Sequence, residues 1–350
     1  MMKNLRNILL IIIVFAFSQN EVNAQAEKVK YNIYSVAFYN LENFFDTIND
    51  PLKRDEDFLP TGSYKWTSKR YNLKLKHMAK VVSKLGVEKT GGIPPTIVGF
   101  SELENQQVIQ DLIDTAPLNK YPYKIAHVES PDHRGVDVAL IYRSDIFEMD
   151  KFYARELWVK NAYKNFATRN QLVVEGMLAG EKTAFLVNHW PSRAAGSRYR
   201  EAAGALNRTI IDSLRSVYPG IHCITMGDLN DDPSNKSLTK GLGAVGDKEQ
   251  LSDKNILYNP MVKMHKKGLG TLAYRDGWNL FDQIIFTKEL ALKKDKTKLM
   301  FYKAEICSYD FLKNKSGRYK GYPFRTYAGG NYAGGYSDHF PVVTFFVKQK

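Results

Sequence analysis

A single α/β domain with mixed β-sheets is what this 350-residue sequence predicts. Three observations carry that reading. Nine short apolar, β-branched runs are spread along the whole chain. Stretches with apolar residues at helical spacing fall between some of them. No linker-like stretch is long enough to divide the chain in two. With 44% hydrophobic and 13% aromatic residues there is ample material for a large core, which excludes disordered, collagen-like and low-complexity classes.

The first 24 residues stand apart from the domain. Lys3 and Arg6 precede an apolar run over 8–17, and Val22-Asn23-Ala24 places small residues where a signal peptidase cuts. Ten apolar residues fall short of the roughly 20 that span a bilayer, and the polar Ser18-Gln19-Asn20-Glu21 follows at once, which argues against an uncleaved anchor. The expectation is an export signal over 1–24, a domain over 26–350, and a periplasmic or extracellular protein with no membrane span after cleavage. No cysteine near the cleavage site supports a lipid anchor, and a monomer is assumed.

Within the domain, strands are expected at 33–38, 96–100, 136–142, 171–178, 183–187, 221–226, 280–286, 300–306 and 340–346. Leu75, Met78, Ala79 and Val82 repeat at helical spacing and stop at Gly86. Ile109, Leu112 and Ile113 make a shorter stripe, and Ala203, Leu206, Ile210 and Leu214 a third that ends before Pro219-Gly220. The segment 327–336, with two Tyr-Ala-Gly-Gly-like units, reads as a flexible loop.

Only Cys223 and Cys307 are present, each within an apolar run, so cysteine can build neither a disulfide framework nor a zinc site. The net charge of +13, or +12 without the leader, favours a polyanion or an anionic surface as partner. The excess concentrates in 65–84, with seven basic residues and no acidic one, and in 288–320, with ten basic and four acidic. Each tract reads equally as a solvated face or as a polyanion track.

Polar residues cluster at strand ends in four places: Tyr39-Asn40-Leu41-Glu42-Asn43, Ser101-Glu102-Leu103-Glu104-Asn105, Gly227-Asp228-Leu229-Asn230-Asp231-Asp232 and Ser337-Asp338-His339-Phe340-Pro341. Rigid strands that deliver polar groups to loops suit catalysis, although each cluster alone is compatible with a simple Asx turn. Glu102 follows an apolar strand and is a hard oxygen ligand of the kind magnesium prefers. Asp228 and Asn230 are two apart, so on an extended segment both point to one face, a carboxylate to polarise water beside an amide to hold it. Asp282 lies inside an apolar run, where a carboxylate is costly unless paired.

Taken together, with Asn188-His189-Trp190-Pro191-Ser192 and the run over 279–285, these motifs resemble the endonuclease/exonuclease/phosphatase superfamily over 33–343. The resemblance implies a four-layer α/β sandwich, two mixed β-sheets packed face to face with helices on the outer faces. It also implies a divalent-metal phosphoester hydrolase using Mg2+, with Mn2+ as substitute. Asn40, Glu102 and Asp338 then match the metal site, and Asp228 is the base or water-orienting group with Asn230 as its partner. His189 and His339 would bond the scissile phosphate, and Asp282 would orient His339. Asp137 reads either as a similar partner of His189 or as half of a structural salt bridge. Arg134 and Arg193 read equally as phosphate contacts or as braces for loop carboxylates. His77, His127, His133, His222 and His265 are taken as ordinary residues.

The expected function is an exported phosphodiesterase acting on a phosphate-ester substrate, with nucleic acid favoured by the positive charge. The same catalytic set also serves phosphatases and phospholipases of inositol phosphates, sphingomyelin or nucleotides. A binding module without chemistry is the reading from another class, and the intact set of polar residues speaks against it.

Overall fold

The computed structural model describes residues 30–350 except Asn165 and Lys293, so the export signal expected at 1–24 lies outside the described residues. In chain order the strands are β1 (Tyr31–Phe44), β2 (Ile97–Leu103), β3 (Tyr123–His127), β4 (Asp137–Arg143), β5 (Phe147–Arg155) and β6 (Gln171–Leu178). Next come β7 (Glu181–His189), β8 (His222–Asp228), β9 (Ala244–Val245), β10 (Leu257–Tyr258), β11 (Leu272–Tyr274) and β12 (Gly277–Asn279). The last five are β13 (Asp282–Thr287), β14 (Met300–Ile306), β15 (Tyr327–Ala328), β16 (Asn331–Tyr332) and β17 (Val342–Gln349).

Two mixed sheets form, a six-stranded one in the order β14-β17-β1-β2-β4-β3 and a seven-stranded one in the order β5-β6-β7-β8-β13-β10-β9. Strand alternation explains the layering. Val36 and Phe38 point from β1 into the space between the sheets, where Phe185, Val187, Ile224, Met226 and Ile284 meet them. Ala37 and Tyr39 point the other way, onto the helices Ser68–Val82 and Gln106–Asp114 through Leu75, Met78, Val82, Ile109 and Leu112. Leu186 and Ile285 cover the outer face of the second sheet, against Ile211 and Leu214 of the helix Ser197–Val217. The result is the expected four-layer sandwich, with three buried apolar clusters separating the layers.

Eight strands escaped the sequence reading, six of them the two- or three-residue strands β9, β10, β11, β12, β15 and β16, and the other two β3 and β5. β3 and β5 are the outermost strands of their sheets, and β5 carries charged, exposed residues along much of its length. An edge strand buried on one side only lacks the continuous apolar run of a central one. The expected loop at 327–336 holds the short hairpin β15–β16 and is pinned to the body, because Glu42 accepts hydrogen bonds from the Thr326 and Tyr327 N–H groups. The tract 65–84 is not uniformly solvated either. Lys74 is buried on the inner face of its helix and donates to the Glu42 carbonyl at 2.8 Å and to the Thr326 hydroxyl at 2.6 Å. Burial lowers its pKa to about 8.

Cys223 and Cys307 are both buried and free, and burial pushes each thiol up to about 12. Among the described residues no helix is long and apolar enough to cross a membrane.

Candidate active site

The site forms where the ends of β1, β2, β7, β8 and β13 converge with the turn that opens β17. Parallel pairing brings His189 at the end of β7 level with Asp228 at the end of β8, and antiparallel pairing sets Asp282 opposite Asp228. β1 runs parallel to β2 with a register shift after Asn40 that carries Glu102 into the same space.

Several motif residues act as pins for the reactive ones. Gly227 precedes Asp228 because a Cβ there would lie 2.3 Å from the Asn188 carbonyl oxygen. Asn188 itself ties the ends of β7 and β8 together, donating to the Thr225 hydroxyl and the Met226 carbonyl and accepting from the Trp190 indole. Ser337 does the same on the other sheet. Its hydroxyl donates to the Asn40 carbonyl at 2.7 Å and accepts from the His339 N–H.

The Asn40 amide donates to Glu102 at 3.2 Å and to Asp228 at 3.0 Å, while its oxygen accepts from the Glu42 N–H. In this arrangement Asn40 braces the two carboxylates and turns its oxygen away from them. Glu102 sits in the left-handed region (φ 59°) and also accepts from the Asn43 N–H. A non-glycine residue there carries conformational strain of a kind that gathers at functional sites. His189 Nε2 lies 3.8 Å from Glu102 and 3.7 Å from Asp228.

His339 Nδ1 donates to Asp282 at 2.6 Å, and its Nε2 faces Asp228 at 3.8 Å and Asp338 at 3.9 Å. Burial disfavours the imidazolium, but the Asp282 and Asp228 charges outweigh burial and hold His339 well above the ordinary histidine range. Asp228 is pushed up to about 7, by burial first and by the charges of Asp282 and Glu102, against the opposing pull of His339. Burial also works against the charge on Asp338, yet His339 and Arg325 keep that carboxyl below its usual range. His189 is held well below its ordinary value, by burial and then by the Arg169 and Arg134 charges, so it is neutral at pH 7. Its Nδ1 has no hydrogen-bond partner among the described residues, and the tautomer this favours puts the proton on Nε2, toward the carboxylates.

A cavity of ≈ 460 Å³ opens over Glu102, His189, Asp228, Asn230, Asp338 and His339, with Arg134 on its wall. Ligand atoms of Glu102, His189 and Asp228 lie within 4.8 Å of one another. This set is rich in hard oxygens, and its buried carboxylate Asp228 is destabilised by neighbouring anions. A divalent cation fits both features. Of the three residues expected to hold it, Glu102 and Asp338 offer carboxylate oxygens to the cavity, whereas Asn40 spends its amide on Glu102 and Asp228 and its oxygen on the Glu42 N–H and so supports the carboxylates rather than the cation.

Three further sequence expectations change. Asn230 has φ 50°, so the segment turns after Asp228 and the two side chains do not share one face of a strand. Instead the Asn230 N–H donates to Asp228 Oδ1 and its amide to the Trp190 carbonyl. Asp137 does not reach His189. It pairs with His127 at 2.9 Å and accepts from the Ser130 N–H, the structural alternative. Arg193 does not line the cavity and spends its guanidinium on Asp232, Asn279 and the Asn230 carbonyl, bracing the loop. Arg134 bonds Asp132 and still lines the cavity.

Sequence reading missed Glu42, Arg325 and Arg169. Arg169 is buried and donates to the His189 and Trp190 carbonyls and to Asp132, which fixes the backbone behind His189. Arg325 bridges Asp338 and Glu42, and burial with the nearby Asp338 charge raises Glu42 to about 7. Glu42 stood inside a quoted motif, but nothing in the pattern linked it to residues nearly 300 positions away.

A DNase-I-like sandwich with a carboxylate and histidine cluster at its strand ends defines a metal-dependent phosphoester hydrolase. The family model described as Endonuclease/Exonuclease/phosphatase family matches residues 35–348, and the chain belongs to that family. Its members are metal-dependent phosphoester hydrolases, and this protein is an enzyme of that class. No curated protein sequence matches the chain. Among solved structures, an endonuclease/exonuclease/phosphatase family protein from Bacteroides thetaiotaomicron is similar at TM-score 0.55 and 15% identity, covering 92% of this chain and 97% of that one. TDP2 from D. rerio, complexed with single-strand DNA product, is similar at TM-score 0.54 and 13% identity, covering 90% and 98%. A mannosyl-6-phosphatase from Bacteroides thetaiotaomicron is similar at TM-score 0.53 and 15% identity, covering 89% and 99%. At such identities the likeness establishes the fold.

Proposed function

We propose that this protein is an exported, magnesium-dependent phosphodiesterase that acts as a nuclease through in-line attack of an activated water. The observation that carries the reading is a single cavity lined by Asp228, His339 and the oxygen donors of Glu102 and Asp338, with Asp282 buried behind His339 and bonded to its Nδ1. Mg2+, or Mn2+ in its place, held by Glu102 and Asp338 would neutralise charge on the phosphoryl oxygens. Asp228, lifted toward neutrality by burial, accepts the proton of the attacking water, and the Asn230 N–H keeps its carboxylate oriented. His339 presents a charged N–H to the charge that develops on phosphorus-bound oxygen, with Asp282 fixing its tautomer. His189 adds a neutral donor, and Arg134 on the cavity wall offers a fork to a phosphate.

The nuclease reading draws support from the net charge of +13 and from the likeness to a protein solved with a DNA product. Export rests on the leader features of residues 1–24. The likeness to a mannosyl-6-phosphatase makes phosphomonoester hydrolysis the competing outcome. The test is a panel with purified mature protein and magnesium: plasmid DNA, RNA, bis(p-nitrophenyl) phosphate, p-nitrophenyl phosphate, inositol phosphates and sphingomyelin. Nucleic acid and the diester should be hydrolysed. Turnover confined to monoesters would replace the nuclease with a phosphatase, and turnover of sphingomyelin alone with a phospholipase.

A further inference from the structure

Beside the catalytic cavity lies a second one of ≈ 330 Å³, walled by the β11–β12 hairpin and by the long connection between β14 and β17. Leu272 and Asp338 line both cavities, so the second opens at the reaction centre. Its walls combine rings and cations. Tyr274 and Arg275 stand at the hairpin tip, and Arg318, Tyr319, Tyr322 and Arg325 face them from the connection.

Tyr274 and Tyr319 are more than half exposed, at 62% and 53%. Each has a guanidinium near its ring, Arg275 at 5.2 Å from the Tyr274 centroid and Arg318 at 5.8 Å from that of Tyr319. Asp276 holds the two walls together, accepting from the Tyr322 hydroxyl at 2.8 Å and lying 3.9 Å from Arg318. Trp278 meets Tyr322 edge-on at 5.5 Å and supports the contact from behind. Arg275 and Asp276 both take left-handed backbone conformations (φ 48° and 63°), the tight turn that carries Arg275 to the tip. Neither the chemistry of phosphoester cleavage nor the sandwich core needs exposed rings and guanidiniums here.

We propose that this second cavity is a subsite for the nucleotide adjoining the scissile phosphate of a single-stranded nucleic acid. A base stacks on Tyr319 or Tyr274, and the next backbone phosphate pairs with Arg318 or Arg275. Stacking on exposed rings with cations alongside is how unpaired strands are held without sequence preference. A duplex keeps its bases stacked on one another and offers these rings no free face. The inference rests on the nuclease reading and adds to it a strand type and a location.

The test compares wild type, the double variant Arg318→Ala/Tyr319→Ala and Tyr319→Phe on three substrates with magnesium. These are a fluorescent single-stranded oligonucleotide, the same sequence as a duplex, and bis(p-nitrophenyl) phosphate, which carries neither a nucleobase nor a second backbone phosphate. Wild type should prefer the single strand. The double variant should lose at least about five-fold in kcat/KM on it, mainly through KM, and keep its turnover of bis(p-nitrophenyl) phosphate. Tyr319→Phe, which retains the ring, should remain near wild type. Equal losses of the double variant on the oligonucleotide and the small diester, or no loss on the oligonucleotide, would overturn the subsite. A wild type that hydrolyses the small diester but no oligonucleotide would instead remove the nuclease reading on which the subsite depends.

Discussion

His189 and His339 end up in one cavity, from the second and the first sheet respectively, and their surroundings make them different reagents. Burial opposes the charged form of both rings. At His339 the buried Asp282 and Asp228 outweigh burial and the ring stays protonated. At His189 the Arg169 and Arg134 charges add to burial, no hydrogen-bond partner meets Nδ1 among the described residues, and the ring stays neutral. Residue type and strand-end position are alike. Asp228 faces both rings, and what differs is the charge that joins it, the buried Asp282 at His339 and the loop guanidiniums of Arg169 and Arg134 at His189, so the charge state of a histidine here is a property of the packing around it.

The largest way to break this contrast is Asp282→Asn, which removes the anion that orients and charges His339 while keeping nearly the same shape. Turnover of bis(p-nitrophenyl) phosphate should fall by ~10²–10⁴-fold, with the melting temperature and magnesium dependence close to wild type. Near-normal turnover in the folded fraction, with a large drop in melting temperature, would reduce Asp282 to a structural carboxylate. A smaller effect is expected at His189→Gln, which keeps a neutral donor but shifts its position. Its turnover should fall by roughly 10-fold to 10²-fold, less than that of Asp282→Asn measured side by side. The reverse order would make the neutral histidine the dominant one.

Much of the sandwich was legible because its central strands are apolar on both sides and their ends carry the polar motifs. The helix stripes at Leu75–Val82 and Ala203–Leu214 pack as expected, against opposite sheets. What stayed hidden depended on contacts between distant segments or on backbone turns. Asn230 was placed on the face of Asp228 by strand alternation, and its left-handed backbone breaks that alternation. Asp137 could partner His189 or enter a structural salt bridge, and sheet pairing of β3 with β4 brings it His127 instead. Lys74 looked like one more charge in a basic run, yet it is buried and anchors the connection that carries Thr326. The Gly before Asp228 and the Ser before Asp338 were read as motif letters, and their work is steric and hydrogen-bonding support for the reactive side chain nearby.

The proposed reaction depends on oxygen donors gathering a divalent cation over Asp228. Its most direct test is hydrolysis of bis(p-nitrophenyl) phosphate by wild type and Glu102→Gln after exhaustive treatment with EDTA, followed by titration with magnesium or manganese. Activity of the wild type should vanish on chelation and return with the metal, and Glu102→Gln should need a much higher metal concentration for whatever activity it regains. Hydrolysis that survives complete chelation, or a Glu102→Gln titration that superimposes on the wild type, would contradict a cation held by Glu102.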